Sequence, residues 1–214
     1  MVNMRRVFNA ISINSIKYGT KEDVEKNLNK YKDLTMDIGN FIDPPDVNSS
    51  EVTLGELKYI SSMTKQATEE DIKNAFILDE KPHYIHETFL NSKGLQFPKD
   101  EFNKIWKTIG DYIMLAKWTY NRPRPAQIAE RLGVEIIVND SKTAHTPAYP
   151  SGHTAYAKTS AMLLSRMYPE FTKNFEIAVD TVSESRIILG LHYPSDCVAA
   201  EDLVYGLFRN LTQI

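Results

Sequence analysis

The sequence predicts an all-α fold, a single-domain helical bundle of about seven helices. Between Asp100 and Trp118, apolar residues recur every three or four positions, which is the pattern of an amphipathic helix. Prolines and polar stretches separate this segment from other helical candidates. Of the 214 residues, 42% are hydrophobic and 25% charged, enough for one sizeable core. One domain over residues 1–214 is therefore expected.

Three more helices are predicted in the first hundred residues. Charged residues between Glu22 and Leu34 are spaced for a solvent-exposed helix, and the proline-containing stretch 43–46 ends it in a loop. Thr53 and Glu56 have the spacing of a capping box and predict a helix start. Acidic residues in the first turn favour another helix over Thr68 to Phe76.

Prolines also separate the predicted helices in the second half of the chain. The Arg-Pro-Arg-Pro stretch 122–125 cannot continue a helix, because each proline lacks an amide donor. Residues 134–138 fit either a short strand or an extended loop. Helix is expected to resume at Ser151-Gly152-His153 and to cover Ala155 to Tyr168, Phe171 to Gly190, and Pro194 to Leu211.

Composition excludes several classes of partner and location. A formal net charge of −3 gives no electrostatic footprint for nucleic acid or an anionic membrane. The apolar runs are far shorter than the roughly 20 residues that span a bilayer, so no membrane insertion is expected. The first residues lack the apolar core of a secretory signal, which makes the cytoplasm the expected location. The single cysteine, Cys197, fits a buried thiol better than a catalytic one.

Three segments of the second half concentrate cations and histidines where the helical pattern breaks. They are Lys117, six residues, Arg124-Pro125; then Pro150-Ser151-Gly152-His153; then Ser185-Arg186, five residues, His192, three residues, Asp196. Lys117, Arg124 and Arg186 supply three cations for a phosphate dianion, and the arginines can present planar forks to its oxygens. Together these segments indicate a phosphate site.

The remaining residues of these segments fit the same chemistry. Ser151 and Gly152 fall at a predicted helix N-terminus, where free backbone amides attract anions. Two histidines, His153 and His192, can provide an acid and a nucleophile for transfer of a phosphoryl group. Asp196 follows His192 by four residues and can accept a hydrogen bond from its ring. Neutral His192 and protonated His153 together predict a bell-shaped pH profile with an optimum on the acidic side of neutrality.

The three segments resemble the motifs of the type 2 phosphatidic acid phosphatase superfamily, with every fixed position present in the motif-bearing region, about 100–211. Within it, the chain looks most like the soluble bacterial class A non-specific acid phosphatases, which are all-α and typically exported. The resemblance implies that His192 is the nucleophile of a phosphohistidine intermediate, that His153 is the general acid, and that a small phosphomonoester is hydrolysed without a metal or other cofactor. Vanadate is expected to inhibit.

Two other functions stay open. Vanadium-dependent haloperoxidases share the same residues, and in them the histidine equivalent to His192 binds vanadate as a cofactor. A phosphate-binding protein without catalysis would keep the cations and the helix N-terminus but would not need His153, His192 and Asp196. Membrane lipid-phosphate phosphatases share the motifs on transmembrane helices that are not expected here. A homo-oligomer is possible.

Several residues have no assigned role. Arg122 is expected either to line the substrate entrance or to pair with surface carboxylates. His83 and His86 are spaced for one helix face, but no ligand cluster accompanies them, which favours surface or packing roles. His145 and Tyr149 are candidates for contact with a leaving group. Residues 79–98 and 127–147 are expected to supply walls of the pocket.

Overall fold

The structure is a computed structural model and describes residues 12–212. Its α-helices are α1 Lys21–Leu28, α2 Glu51–Gln66, α3 Glu69–Glu80, α4 Tyr84–Ser92, α5 Lys99–Tyr120, α6 Pro125–Ile128, α7 Gly152–Met167, α8 Thr172–Ile188 and α9 Pro194–Thr212. Short 3-10 helices cover Asn29–Tyr31, Ile38–Asn40, Glu130–Leu132 and Pro169–Phe171. Residues 12–212 contain no strand, which confirms the predicted all-α class.

The helix α7 is central to the packing and lies against α5, α8 and α9. Its buried face is rich in small side chains, among them Ala155, Ala157 and Ala161, all fully buried. Small residues let the neighbouring helices approach closely, and α8 and α9 fill the space with Phe175 and Leu203. Burying one such large apolar side chain contributes about 1.5–3 kcal/mol. The helices that carry the three motif segments therefore form one packed core.

Two predictions for the first hundred residues are wrong. Helix α2 begins one turn earlier than predicted, because the hydroxyl of Ser50 caps it by accepting a hydrogen bond from the Thr53 amide at 3.0 Å. Glu56 takes no part in a capping box and points instead to Arg122. Helix α4 was not predicted, because it follows Pro82 without a capping side chain. It packs through His86 and Leu90, both fully buried.

Two positive-φ residues shape the loops around the motif segments. Asn121 ends α5 at φ 47° and its side chain hydrogen-bonds both the amide and the carbonyl of Gly19 at 2.9 Å. Gly190 ends the turn after α8 at φ 72°, and a Cβ there would lie 2.8 Å from the carbonyl oxygen of Ile137. Residues 134–140 form an extended, irregular segment against this turn, so the open choice between strand and loop resolves to a loop.

Between residues 12 and 212, no helix combines the length and the apolar character that a membrane span requires.

Candidate active site

The three motif segments meet at one cavity of about 260 Å³. Six of the eight predicted site residues line it: Lys117, Arg124, Gly152, His153, Arg186 and His192. The other two, Ser151 and Asp196, are fully buried and support the wall from behind, where the Ser151 amide donates to the backbone oxygen of Asp196 at 2.8 Å. The structure thus brings together residues that are up to 79 positions apart in the sequence, from Lys117 to Asp196.

The hydrogen bonds of His192 fix its tautomer. Its Nδ1 lies 3.0 Å from Oδ2 of Asp196, and its Nε2 lies 2.8 Å from Nη1 of Arg124. Because a guanidinium only donates, Nε2 accepts and Nδ1 carries the proton. Burial, followed by the charges of Arg124 and Lys117, holds the pKa of His192 well below its usual value. The ring is therefore neutral near pH 7, with a lone pair on Nε2.

A buried network holds Asp196 in place. Its Oδ2 also accepts from the Tyr193 amide at 3.0 Å, and its Oδ1 accepts from Nη1 of Arg122 at 2.6 Å. Nη2 of Arg122 donates to Glu56 at 3.0 Å, and the second oxygen of Glu56 accepts from the Ser195 amide at 2.7 Å. Every partner limits the movement of the carboxylate, so Asp196 can orient His192.

Both expected roles for Arg122 are wrong. Its side chain is 2% exposed, and it lies between two carboxylates that are 0% and 10% exposed, those of Asp196 and Glu56. Its guanidinium also stacks over the ring of Tyr193, at 3.8 Å from the centroid. Burial lowers the pKa of Arg122, but the charges of Asp196 and Glu56 outweigh it and raise the pKa overall. Arg122 is a buried support, not an entrance residue or a surface pair.

Three buried cations, those of Lys117, Arg124 and Arg186, line the cavity. Nζ of Lys117 donates to the carbonyl of Pro147 at 2.7 Å, and Nε of Arg124 donates to the carbonyl of Thr146 at 3.0 Å. Nη1 of Arg186 donates to Oδ1 of Asp79 at 2.7 Å, whereas its Nε is buried without a hydrogen-bond partner. An unpaired buried donor of a charged group is costly, and an oxyanion in the cavity would satisfy it.

The mutual repulsion of these cations is visible in their pKa values. Burial, then the charge of Arg124, lowers the pKa of Lys117 well below its usual value. Burial also lowers the pKa of Arg124 to about 10, and the neighbouring Arg186 contributes to the same shift. A bound dianion would offset both causes, since it supplies the opposite charge at close range. The site is therefore built to hold a multiply charged anion.

The start of α7 adds backbone donors to the same end. Ser151 is the N-cap, and its Oγ accepts from Oγ1 of Thr154 at 3.0 Å. Gly152 is the first helical residue and lies in the cavity wall, where an added Cβ would be 3.7 Å from Cε of Lys117. That methyl group would occupy space next to the cations. The helix N-terminus thus faces the cavity with its surface left open for a ligand.

The second histidine has a different environment. Nε2 of His153 lies 2.9 Å from the backbone oxygen of Asp79 and 3.5 Å from its carboxylate. Because a carbonyl only accepts, Nε2 carries a proton, and Nδ1 is the nitrogen that gains or loses the second one. Burial, together with the charge of Arg186, lowers the pKa of His153 to about 3. In the free site this ring is neutral.

Asp79 supports the site without having been predicted from the sequence. Its carboxylate is 4% exposed and accepts from Arg186, from Oγ1 of Thr143 at 2.6 Å and from Oγ of Ser141 at 2.8 Å. Burial raises the pKa of Asp79, but the hydrogen bond from Thr143 and the charge of Arg186 outweigh it and hold the pKa below its usual value. The ionised carboxylate joins the end of α3, the 141–143 loop and α8. Its surroundings in the sequence carry no motif that marks it.

The histidines that had no assigned role lie elsewhere. His86 is fully buried, its Nε2 lies 3.2 Å from the carbonyl of Phe175, and burial lowers its pKa to about 4. Nε2 of His83 lies 3.5 Å from a carboxylate oxygen of Glu87. Among residues 12–212, no three His, Cys, Asp or Glu side chains are grouped as a metal site would require. His145, a candidate for contact with a leaving group, is exposed on the loop between Ala144 and Thr146, which line the cavity, so that role stays a prediction.

Tyr149 and Cys197 are both structural in this fold. The hydroxyl of Tyr149 donates to the carbonyl of Asp43 at 2.6 Å, on the side away from the phosphate cavity, so the expected contact with a leaving group is wrong. Cys197 is buried, and burial raises the pKa of its thiol to about 11. A thiol that stays protonated is a weak nucleophile, which agrees with the buried role predicted for Cys197.

Comparison with known proteins points to the same residues. Residues 107–208 match the family model of the PAP2 superfamily. A protein of Providencia stuartii named "Non-specific acid phosphatase" is 26% identical over 178 residues, which cover 78% of this chain and 71% of the relative. A solved transmembrane PAP2-type phosphatidylglycerolphosphate phosphatase from Bacillus subtilis is 15% identical over 98% of this chain and 93% of its own, with a TM-score of 0.37.

The eight predicted site residues, from Lys117 to Asp196, all lie inside the matched range. The family match therefore covers the residues that line the cavity apart from Pro82 and Trp106. It also confirms the resemblance predicted from the motifs, and acid phosphatase-like proteins are among the relatives. Residues 107–208 thus match the PAP2 superfamily, and the chain is similar to a protein named as an acid phosphatase.

Proposed function

We propose that this protein is a metal-independent phosphomonoesterase that works through a phosphohistidine intermediate on His192. The observation that carries the proposal is the hydrogen bonding of His192. Its Nδ1 proton is held by a buried carboxylate, and its Nε2 lone pair faces three cations that can hold a phosphoryl group. A protein that only bound phosphate would have no use for a histidine in this state. The name of the Providencia relative supports the same class of reaction.

The first step transfers the phosphoryl group to the protein. Lys117, Arg124, Arg186 and the amide of Gly152 bind its oxygens, while Ser151 caps the start of α7 behind them. The phosphate displaces Nη1 of Arg124 from Nε2 of His192, so that the lone pair can attack phosphorus. The N–P bond forms as the ester P–O bond breaks, and Asp196 stabilises the positive ring that results.

His153 moves a proton in both steps, and the second step restores the enzyme. In the first step, protonated His153 gives its Nδ1 proton to the leaving alkoxide, which departs as the alcohol. Neutral His153 then takes a proton from water as the water oxygen attacks phosphorus, and the N–P bond breaks. Phosphate leaves and both histidines return to their starting states. His153 must gain its proton with the substrate, because its pKa in the free site is far below neutrality.

The finer properties of the protein follow from this proposal. The substrate is a small phosphomonoester, and vanadate inhibits because it fits the same cations and can occupy the place of the transferred phosphoryl group. The activity is expected to be highest on the acidic side of neutrality, where His153 is more readily protonated. The haloperoxidase alternative has no observation in its favour beyond the shared residues.

The test is hydrolysis of p-nitrophenyl phosphate at pH 5 to 7 in the presence of EDTA. Wild type is compared with His192→Ala and with Tyr59→Ala, a control at an exposed aromatic residue on α2. We expect EDTA-resistant turnover that vanishes only in His192→Ala and that vanadate blocks. A folded wild type without turnover would contradict the proposal, and halide oxidation with added vanadate would then identify a haloperoxidase. Phosphate binding without either reaction would identify a binding protein.

The intermediate has its own test. In His153→Gln the leaving group is not protonated, but an activated ester such as p-nitrophenyl phosphate leaves without help. We expect this variant to accumulate phosphohistidine after acid-free quenching, detectable by phosphorus NMR. The double variant with His192→Ala should show none. A phosphorylated residue other than His192 would contradict the assignment of the nucleophile.

A further inference from the structure

The active-site cavity has a second end that the phosphate chemistry does not use. Besides the cations and histidines, its lining includes the apolar and aromatic residues Pro82, Trp106, Ile113, Met114 and Tyr156. The described residues that line the cavity include no carboxylate. A phosphomonoester held by the cations places an apolar leaving group best against these side chains, because the rest of the lining is mainly cations, histidines and the 143–146 loop.

Helix α5 sets the distance between the two ends. Trp106, Gly110, Met114 and Lys117 follow one another at intervals of three or four residues, so they share one face of the helix. Eleven residues at 1.5 Å each separate the Cα atoms of Trp106 and Lys117 by about 16 Å along the axis. A Cβ at Gly110 would lie 3.3 Å from the indole ring, so Trp106 extends along the helix towards the cations. The cavity between them, about 260 Å³ in all, has room for a ring beside a phosphate group.

Helix α7 closes the same end from the other side. Tyr156 lies one turn after Gly152 and His153, and its ring meets Trp106 edge to face, with centroids 4.8 Å apart at 63°. Phe102 packs behind Tyr156 at 4.5 Å, and His83 packs at 5.6 Å. Both aromatic rings are thus held in place before a ligand arrives. Such a corner offers a ring the offset and edge-to-face contacts that aromatic groups prefer.

We propose that the leaving group of the preferred substrate is an apolar, planar ring that packs into the corner formed by Trp106 and Tyr156. This inference rests on the proposed phosphatase function and names its substrate class. An aliphatic group can fill the same space but lacks the ring electrostatics that favour edge-to-face and offset contacts. A cationic group would lose its water without gaining a carboxylate.

Three esters of aliphatic alcohols test the preference, since their leaving groups are similar in basicity: benzyl, cyclohexylmethyl and ethyl phosphate. We expect kcat/KM for benzyl phosphate to exceed that for cyclohexylmethyl phosphate about three- to tenfold, and ethyl phosphate to be slowest. Trp106→Leu and Tyr156→Leu should reduce the difference to less than twofold, whereas Tyr59→Leu, an exposed aromatic on α2, should keep it. Thermal unfolding verifies that each variant is folded. Equal kcat/KM values for the three esters in wild type would overturn the inference.

A binding experiment separates this inference from the proposed function. The chain has two tryptophans, Trp106 and Trp118, and only Trp106 lines the cavity. Phenylphosphonate should bind at least threefold more tightly than methylphosphonate and change the fluorescence of Trp118→Phe but not that of Trp106→Phe. If no ester is hydrolysed but this difference is found, the reaction is wrong and the ring site stands. If esters are hydrolysed and the two phosphonates bind equally, the ring site is wrong and the reaction stands.

Discussion

The two histidines of the cavity are held by partners of different kinds. His192 hydrogen-bonds the carboxylate of Asp196, which is 0% exposed and is itself paired with Arg122. His153 hydrogen-bonds a backbone carbonyl, that of Asp79, while the carboxylate of Asp79 serves Arg186 and two hydroxyl groups. One ring therefore has a dedicated negative charge beside it, and the other has mainly a dipole.

This difference separates the roles of two residues with the same side chain. A buried carboxylate orients the ring of His192 and stabilises the positive charge that a bond to phosphorus would create. A carbonyl fixes the orientation of His153 but leaves its protonation to the rest of the cavity, where Arg186 opposes it. We infer that His192 is prepared for attack in the empty site, whereas His153 becomes an acid only when an anion is bound.

The largest effect is expected when the carboxylate behind His192 is neutralised. In Asp196→Asn the amide can donate to Nδ1 and drive the proton to Nε2, which removes the attacking lone pair. We expect kcat to fall by about 10³–10⁴, the size of loss found when a triad carboxylate becomes an amide. Steady-state kinetics with p-nitrophenyl phosphate measures this, with Asp202→Asn on the exposed face of α9 as the control. A loss below tenfold would show that His192 does not depend on Asp196.

The next largest effect is on stability and concerns the cation between the two buried carboxylates. Arg122→Leu leaves Asp196 and Glu56 without their charged partner, which we expect to cost about 3–5 kcal/mol of unfolding free energy. Arg122→Lys keeps the charge but not the planar fork, and it should recover part of the loss. Urea unfolding of the three proteins checks the order. Equal stability of wild type and Arg122→Leu would mean that the network is not a support.

Residues in this network show which parts of the site a sequence can reveal. Ser151, Gly152 and His153 could be placed, because a helix start and a run of neighbouring residues are local features. The apolar repeat of α5 likewise predicted where Lys117 would lie. The pairs formed by Glu56 with Arg122 and by Asp79 with Arg186 span 66 and 107 positions, and no local pattern encodes them. Glu56 was even assigned to a helix cap, since the capping spacing is common.

The helices, like the site residues, include some that local sequence patterns predict and others that depend on contacts with distant residues. Amphipathic helices such as α5 were predicted to within two residues at each end, because their period and their prolines are visible in the sequence. The short helix α4 was missed, since its packing through His86 and Leu90 depends on a neighbour, α8, that lies far along the chain. The choice between strand and loop at residues 134–138 depended on the close approach of Gly190, which only the three-dimensional arrangement shows.

A smaller loss of activity is expected when the carboxylate of Asp79, beside His153, is neutralised. Asp79→Asn removes the charge that orients Arg186, and a hydrogen bond to a charged group is worth about 1.5–3 kcal/mol, which corresponds to a loss of about 10–100-fold in kcat/KM. The matched control is Glu80→Gln, the exposed neighbour on α3. Asp79→Glu should not restore activity, because the longer side chain cannot keep all three contacts. If Asp79→Asn lost as much kcat as Asp196→Asn, the proposed difference between the two sides would be wrong.

The smallest expected effect is a change in the pKa of His153 when an anion binds. It tests the difference between the two histidines most directly. In the free protein the pKa of His153 is about 3, so its ring should take up no second proton above pH 5. A bound dianion favours the charged ring, and we expect methylphosphonate to raise this pKa above 5. Histidine NMR measures both states, with His153→Gln to assign the signal. As pH rises, kcat should then fall through the pKa of His153 in the complex, whereas protonation of His192 at low pH removes the attacking lone pair and sets the other limb. A free-state titration of His153 near 6.5 would mean that its protonation does not depend on the ligand.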